Sequence, residues 1–156
     1  KGCLRSKCRK AWRFKSSPAQ KYGLINHKQI ELMDDNNENL EKSIRLITDE
    51  KITRAELKKV AEQRFGDLVK AVVDVEKKIM AIGGELHADE ELLLLERGSK
   101  QTDLWGINLY PDVPEDQMVE FDSMINVRPT QGNRSRNVDD ENMRKKIIEI
   151  INILVE

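Results

Sequence analysis

The amino-acid sequence predicts an α+β domain, in which a mostly antiparallel sheet of four or five strands and about three helices form two layers. Periodic apolar segments follow one another in the order β-α-β-β-α-β-β-α. Short turns join several neighbouring strands, which suits antiparallel pairing with the helices on one face of the sheet. The 156 residues are enough for one domain with a single core.

Local signals mark the first strand and the first helix. Residues 43–48 alternate weakly between polar and apolar side chains and predict a short strand. Thr53 and Glu56 form the T-x-x-E pattern of a capping box, which predicts a helix that begins at this point. Gly66 follows the apolar stripe of this helix and predicts its end.

Residues 68–84 allow two interpretations. Apolar side chains recur there at helical spacing, which is compatible with a helix. Residues 69–75 are rich in β-branched side chains, however, and a short polar break separates them from a second apolar run at residues 79–82. We therefore predict a β-hairpin with its turn near Lys77.

The second half of the domain reads as helix, strand, strand and helix. Residues 87–97 carry acidic side chains in the first turn, as helices favour, and Gly98 ends this helix. Residues 103–110 form a strand that ends at Pro111. Asp139 and the acidic residue after it open the last helix, whose apolar stripe runs to the end of the chain.

The strand with the clearest alternation is predicted at residues 118–128. One face would carry Val119, Phe121, Ser123, Ile125 and Val127, and the other Glu120, Asp122, Met124, Asn126 and Arg128.

An N-terminal arm, residues 1–43, is expected to precede a single domain at residues 44–156. Residues 1–32 carry nine basic side chains and one acidic side chain, so their net charge is +8 and that of the remainder is −9. An acidic, asparagine-rich run follows Met33, which is a plausible native start. Because the arm lacks periodicity, we expect it to be flexible or a non-native extension.

The charge distribution and the apolar runs limit the classes of partner. No apolar run approaches the ~18–20 residues that span a bilayer, and the basic N-terminal segment lacks the apolar core of a secretory signal. We therefore expect a cytoplasmic protein without membrane contact. A net charge of −9 on residues 33–156 disfavours nucleic acid, except through the basic segment 1–32.

The densest group of binding-competent side chains lies in the loop R-P-T-Q-G-N-R-S at residues 128–135, hereafter the 128–135 loop. Guanidinium and amide donors beside a glycine suit a phosphate or a carboxylate. The candidate ligand-binding residues are Arg128, Gln131, Asn133, Arg134 and Ser135. Alternatively the loop is structural: Arg128 would pair with Glu120 or Asp122, and Asn133 would cap a turn or the last helix.

Two candidates lie outside this loop. His87 is expected near a helix start, where an imidazole can act as a general acid or base, and it is the catalytic candidate. The alternative is a capping or half-buried histidine. Asn108 lies inside an apolar strand, where an amide needs a partner, and it is a further ligand-binding candidate. Trp105 in the same strand is better explained as a core residue than as a stacking platform.

Several classes of site are not indicated. The sequence contains no P-loop, no dinucleotide-binding glycine pattern, no zinc-protease motif and no nucleophile elbow. Both cysteines lie in the arm, and the domain holds a single histidine. We therefore predict neither a cofactor nor a metal site.

Three segments resemble a known family. They are G-G-E-L-H-A-D-E-E at 83–91, G-S-K-Q-T-D-L-W-G-I-N-L-Y-P at 98–111 and F-D-S-M-I-N-V-R-P-T-Q-G-N-R-S at 121–135. They are similar to a family of small prokaryotic proteins that is described as a domain of unknown function. The resemblance covers roughly residues 44–155 and implies a compact, self-contained prokaryotic domain. It implies no activity and no catalytic residue.

Two functional hypotheses follow. The first is a site for a small anionic ligand, such as a phosphorylated metabolite, a nucleotide or an RNA end. This site would be either a binding site alone or the active site of an enzyme. The second is a non-enzymatic interaction module that forms a homo-oligomer or binds a protein partner. A ligand site requires His87, Asn108 and the 128–135 loop to converge on one open pocket, whereas a scaffold would have these side chains already paired.

Overall fold

The computed structural model describes residues 44–156, and the predictions for the arm concern residues outside this range. The strands are β1 (Arg45–Ile47), β2 (Val69–Asp74), β3 (Ile79–Ile82), β4 (Leu104–Leu109) and β5 (Val119–Glu120), and the α-helices are α1 (Arg54–Arg64), α2 (His87–Glu96) and α3 (Glu141–Leu154). The sheet order is β1-β3-β2-β4-β5, and every neighbouring pair is antiparallel. The predicted α+β class is therefore confirmed.

The hairpin predicted for residues 68–84 is confirmed as β2 and β3. Its turn is organised by Asp74, whose Oδ1 accepts hydrogen bonds from the backbone N–H groups of Glu76 and Lys77, both at 2.9 Å. Lys78 completes the turn with a φ of 57°. An aspartate that binds backbone groups two and three residues ahead favours a turn over a continuous helix.

Helices cover both faces of the sheet, which differs from the two-layer arrangement that we expected. The main core joins α1 and α3 to alternate strand residues such as Val73 and Ile107. A second, smaller core lies on the opposite face, where Leu93 and Leu94 of α2 pack near Val72. The reason is that nearly every residue of β2 and β4 is buried, so both faces of these central strands need cover.

The capping box of α1 is formed as predicted. The backbone N–H of Glu56 donates to the Thr53 hydroxyl at 3.2 Å, and the N–H of Thr53 donates to the Glu56 carboxylate at 3.0 Å. The segment before α1 also pairs with the residues after α3: Ile52 donates to the carbonyl of Leu154 at 2.8 Å and accepts from Glu156 at 3.0 Å. These bonds hold the start of α1 beside the end of α3.

The prediction of a long strand at residues 118–128 is wrong. Only Val119 and Glu120 pair with β4, and the chain then forms short 3-10 helices at Met124–Asn126 and Pro129–Gln131. The side-chain amide of Asn126 takes the place of a strand: its Oδ1 accepts from the N–H of Gly106, and its Nδ2 donates to the Gly106 carbonyl, each at 2.8 Å.

Gly106 allows this approach because it has no side chain. A Cβ atom at this position would overlap the side chain of Ser123. The segment after β5 therefore lies directly on the backbone of β4, beside α2.

No helix among residues 44–156 is both long and apolar enough to cross a membrane.

Candidate functional site

Arg128 is a structural residue within the 128–135 loop. It is 8% exposed, and its Nε donates to the carbonyl of Ile125 at 2.8 Å. Its Nη1 donates to the carbonyl of Gln101, and Nη2 lies 3.5 Å from the carboxylate of Glu91. The partners expected from the sequence were Glu120 or Asp122, and the ion pair forms with Glu91 instead. All three guanidinium nitrogens are therefore engaged in the fold.

Asn133 and Ser135 also bind neighbouring parts of the chain. The Nδ2 of Asn133 lies 2.8, 3.1 and 2.7 Å from the carbonyl oxygens of Asn126, Ser135 and Asn137, and its Oδ1 accepts from the N–H of Asp139 at 2.6 Å. The hydroxyl of Ser135 donates to the carboxylate of Asp139. Asn133 is only 4% exposed, so its amide holds the loop closed and does not face a ligand.

Gln131 and Arg134 are the two candidates of this loop whose side chains are exposed. Neither side chain forms a hydrogen bond or an ion pair with another residue of the range 44–156, although the backbone N–H of Arg134 donates to Asp139 at 2.9 Å. Gln131 and Arg128 line an open cavity of about 380 Å³, hereafter the Arg128 cavity, together with Glu91, Gln101 and Thr130.

His87 is the first residue of α2, and its side chain turns inward to the sheet. Its Nε2 lies 2.8 Å from the carbonyl oxygen of Ile107. A carbonyl only accepts, so Nε2 carries the proton and Nδ1 keeps a lone pair in the neutral ring. Burial lowers the pKa of His87 below its ordinary value of 6.5, and the hydrogen bond to Ile107 opposes this shift. The imidazole is therefore neutral at pH 7.

The capping role that we considered for His87 belongs to other residues. The residue before the helix is Leu86, whose backbone N–H donates to the carboxylate of Asp89 at 3.2 Å. Asp89 therefore closes the first turn of α2 and is not paired with His87.

Asn108 lies on the same face of the sheet as α2. Only the nitrogen of its side-chain amide forms a hydrogen bond within the described chain. Its Nδ2 donates to Oε2 of Glu120 at 2.8 Å, and the hydroxyl of Tyr110 donates to the same oxygen at 3.0 Å. The Oδ1 of Asn108 is buried and has no hydrogen-bond partner within the described chain. Asn108 thus retains an unused acceptor.

His87 and Asn108 line one open cavity of about 280 Å³, hereafter the His87 cavity. Its other polar side chains are Lys70, Asp122, Ser123 and Arg136, and its apolar wall includes Leu86, Met124 and Ile125. The sheet supplies the floor through Lys70 and Asn108, which are opposite each other in the β2–β4 register.

Two cationic side chains, those of Lys70 and Arg136, line this cavity. The ammonium of Lys70 donates to the carbonyl of Glu85 at 2.8 Å, and no carboxylate of residues 44–156 lies within ion-pair distance of it. Arg136 binds Asp122 through two nitrogens, at 2.7 and 2.9 Å, in an exposed pair. Lys70 and Arg136 each lower the pKa of His87, whereas Asp122 raises it, so all three charges act on the imidazole.

The sequence candidates therefore divide between two places. His87 and Asn108 share the His87 cavity, whereas Arg128 and Gln131 open on the Arg128 cavity. The two cavities are neighbours, because Met124 and Ile125 line both. Sequence reasoning missed Lys70, Asp122 and Arg136. Lys70 carried one usable signal, since it is a charged side chain inside a β-branched strand.

A buried carboxyl group lies one turn after His87. Glu90 is fully buried, its Oε1 accepts from the N–H of Gly84 at 3.0 Å, and its Oε2 has no partner within the described residues. Burial raises the pKa of Glu90 well above its ordinary value of 4.5. Among residues 44–156 no group of three or more histidine, cysteine or acidic side chains is placed to hold a metal ion.

Comparison with known proteins identifies a family but no characterised relative. No curated protein and no solved structure matches the chain. A family model described as "Protein of unknown function (DUF5674)" matches residues 46–154. This range nearly coincides with the resemblance found in the sequence, which is thereby confirmed. The chain belongs to this family of proteins of unknown function.

Proposed function

We propose that this protein binds a small anionic ligand in the His87 cavity. One observation carries the proposal: Lys70, His87, Asn108 and Arg136 come from four separate segments of the chain and line the same open cavity. A cavity with an apolar wall and a few convergent polar groups is the usual form of a small-molecule site. Most polar groups of the 128–135 loop are bound within the fold, so this loop is less suited to hold the ligand.

The charges favour an acidic group on the ligand. Lys70 faces the cavity without a carboxylate partner among the described residues, and Arg136 has one terminal nitrogen that does not bind Asp122. A phosphate or a carboxylate would accept charge-assisted hydrogen bonds from both. The volume of about 280 Å³ is near the lower end for ligand pockets, which favours a metabolite over a larger molecule.

The apolar wall favours a ligand with a nonpolar body. Leu86 is 58% exposed and Met124 is 68% exposed, and both line the cavity. A ligand that lies between them would cover this surface. Burial of apolar area contributes about 25 cal/mol per Å², so even a small contact supports binding.

If the ligand is a substrate, His87 is the residue that we assign to proton transfer. Its neutral ring holds a lone pair on Nδ1, while the bond from Nε2 to Ile107 fixes the ring orientation. The prokaryotic origin and the cytoplasmic location remain predictions of the sequence.

The proposal is tested by ligand binding to matched lysine and arginine variants. Thermal-shift and NMR titrations with phosphorylated metabolites and nucleotides would identify a ligand, because a compound that binds only the native state raises its stability. Lys70→Ala should then weaken binding by about 1.5–3 kcal/mol, the range for hydrogen bonds to charged groups. Lys59→Ala, an exposed lysine on α1, is the control and should leave affinity unchanged.

Arg134→Ala separates the two possible locations of the anion. If the ligand lies in the His87 cavity, this variant binds as the wild type does. Loss of binding in Arg134→Ala with full binding in Lys70→Ala would instead place the anion at the 128–135 loop and overturn the proposal.

A second candidate is an interaction module. The specific observation is the exposed apolar surface near α2, where Met124, Val127 (37% exposed) and Leu92 (46% exposed) face outward. Such surfaces occur at protein interfaces. A concentration-dependent dimer in analytical ultracentrifugation that is lost in Met124→Ser would favour this function.

A further inference from the structure

We infer that the ligand carries a hydrogen-bond donor next to its acidic group, so that it is an amino or hydroxy derivative of a phosphate or a carboxylate. This inference rests on the proposed function and adds the chemistry of the ligand's second contact. The donor would bind the carbonyl oxygen of Asn108, while the acidic group would lie at Lys70 and Arg136.

The orientation of the Asn108 amide is fixed by its partner. Glu120 accepts from both Asn108 and Tyr110 at a single carboxylate oxygen. Rotating the amide by half a turn would bring its carbonyl oxygen against this carboxylate, which is repulsive. The nitrogen therefore stays on the β5 side, and Oδ1 points away from β5.

This oxygen has no donor in the described chain, although Asn108 is only 8% exposed and lines the cavity. Its neighbour across the sheet is Lys70, whose ammonium is bound to the carbonyl of Glu85 instead. Buried amide oxygens in proteins are nearly always hydrogen-bonded. An unpaired, buried acceptor on a residue that lines a cavity therefore indicates a donor that comes from outside the chain.

His87, which also lines this cavity, provides a second hydrogen-bond acceptor. Its proton is on Nε2, bound to Ile107, so the other ring nitrogen is an acceptor. The cavity thus offers acceptors from Asn108 and His87 and cations from Lys70 and Arg136. A ligand with only an acidic group would satisfy the cations and leave the acceptors unused. A ligand with an N–H or O–H group beside the acid satisfies both.

Matched compounds that differ by one donor test this inference on the full chain. The pairs are 2-aminoethyl phosphate against ethyl phosphate, and 2-hydroxyglutarate against glutarate. We expect the donor-bearing member of at least one pair to bind ten times more tightly or better in NMR titrations. The side-chain amide signals of Asn108 should shift with that member alone.

The matched variants are Asn108→Leu and Tyr110→Phe. Asn108→Leu removes the acceptor and should abolish the preference within the pair, whereas Tyr110→Phe keeps the acceptor and should preserve it. A preference that persists in folded Asn108→Leu would overturn the assignment to this oxygen. If Asn108→Leu does not fold, the wild-type pairs and the Asn108 amide signals decide.

The two proposals fail in different ways. Equal binding within each pair, still dependent on Lys70, would overturn the donor requirement and leave the anion site intact. Absence of binding by all four compounds and by inorganic phosphate would overturn the anion site itself, and the donor requirement with it.

Discussion

Asn126 binds both backbone groups of Gly106 with its side-chain amide, each at 2.8 Å, and thereby replaces a neighbouring strand at the edge of β4. The same amide nitrogen donates to the carbonyl of Arg136 at 2.9 Å. One fully buried side chain therefore links β4, the 3-10 helix at Met124–Asn126 and the segment that carries Arg136. Both cavities are built on this connection.

Asn126→Ala should lower the free energy of unfolding by at least about 2 kcal/mol. The variant leaves the N–H and the carbonyl of Gly106 without partners, and a buried unsatisfied group costs about 1–3 kcal/mol. Denaturant midpoints measure the effect. The matched control is Asn152→Ala, an exposed position on α3, which should lie within about 0.5 kcal/mol of the wild type. Equal midpoints for the two variants would contradict the structural role of Asn126.

Arg128 and Arg134 should respond oppositely to substitution. Arg128→Lys removes the fork that binds the carbonyls of Ile125 and Gln101, and we expect a loss of stability of about 1.5–3 kcal/mol. Arg134→Ala removes an exposed side chain without a partner in the described residues, and the expected change is within about 0.5 kcal/mol. Urea unfolding of both variants is the measurement. A larger loss for Arg134→Ala would mean that the guanidinium of Arg134 braces the loop.

Protonation of His87 should reduce stability on the acid side. Its folded-state pKa is below the unfolded value of 6.5, so the unfolded chain binds this proton first. The contribution of the neutral His87 imidazole to stability is present above pH 6.5, and it is lost as the pH falls through the folded-state pKa. His87→Gln keeps a donor for Ile107 but cannot be charged, so its stability should depend less on pH below 6.5. NMR titration of the imidazole measures the pKa directly, and a value above 6.5 would refute the prediction.

Ionisation of Glu90 should reduce stability as the pH rises, which is the opposite of the pH dependence expected for His87. Its folded-state pKa is raised well above 4.5 by burial, so the folded protein holds the proton more tightly than the unfolded chain. The contribution of protonated Glu90 to the free energy of unfolding is fully present below pH 4.5, and it is lost as the pH rises through the folded-state pKa. Glu90→Gln keeps an acceptor for Gly84 without the charge, so it should be more stable than the wild type at neutral pH and above. Glu96→Gln, at an exposed position of α2, is the control and should show no such gain.

Deletion of residues 1–40 should leave the melting temperature nearly unchanged. The prediction comes from the composition of the arm, which lacks periodicity and changes its charge sign. A decrease of more than about 5 °C, equivalent to about 1 kcal/mol or more, would show that the arm belongs to the fold. Differential scanning calorimetry of the two chains provides the comparison.

The fold was predictable where the signal is local. The capping box at Thr53 depends on two residues three positions apart, and the hairpin turn depends on the aspartate next to it. The segment after Glu120 was not predictable in this way. Its alternating pattern is genuine, but the chain packs Ser123 on Gly106 and buries Asn126, which the pattern had placed on the opposite face from Ser123. A period of two in the sequence therefore does not by itself distinguish a strand from an irregular segment.

The site was predictable only in part, because convergence in space depends on register. His87 and Asn108 were recognised as unusual side chains in their local settings, and they line the same cavity. Lys70 becomes their neighbour only through the pairing of β2 with β4, and Arg136 only through the bond from Asn126 to its carbonyl. The donor density of the 128–135 loop was a true signal of hydrogen bonding, but most of the acceptors belong to the chain itself.

The short pairing between β4 and β5 has a consequence for self-association. Beyond two paired residues, this edge of the sheet is covered by a side-chain amide and 3-10 turns, so it presents no regular row of N–H and carbonyl groups. Exposed rows of that kind allow a foreign strand to extend a sheet and start aggregation. Two copies that meet at this edge must therefore recognise each other through side chains, which is a more selective form of contact.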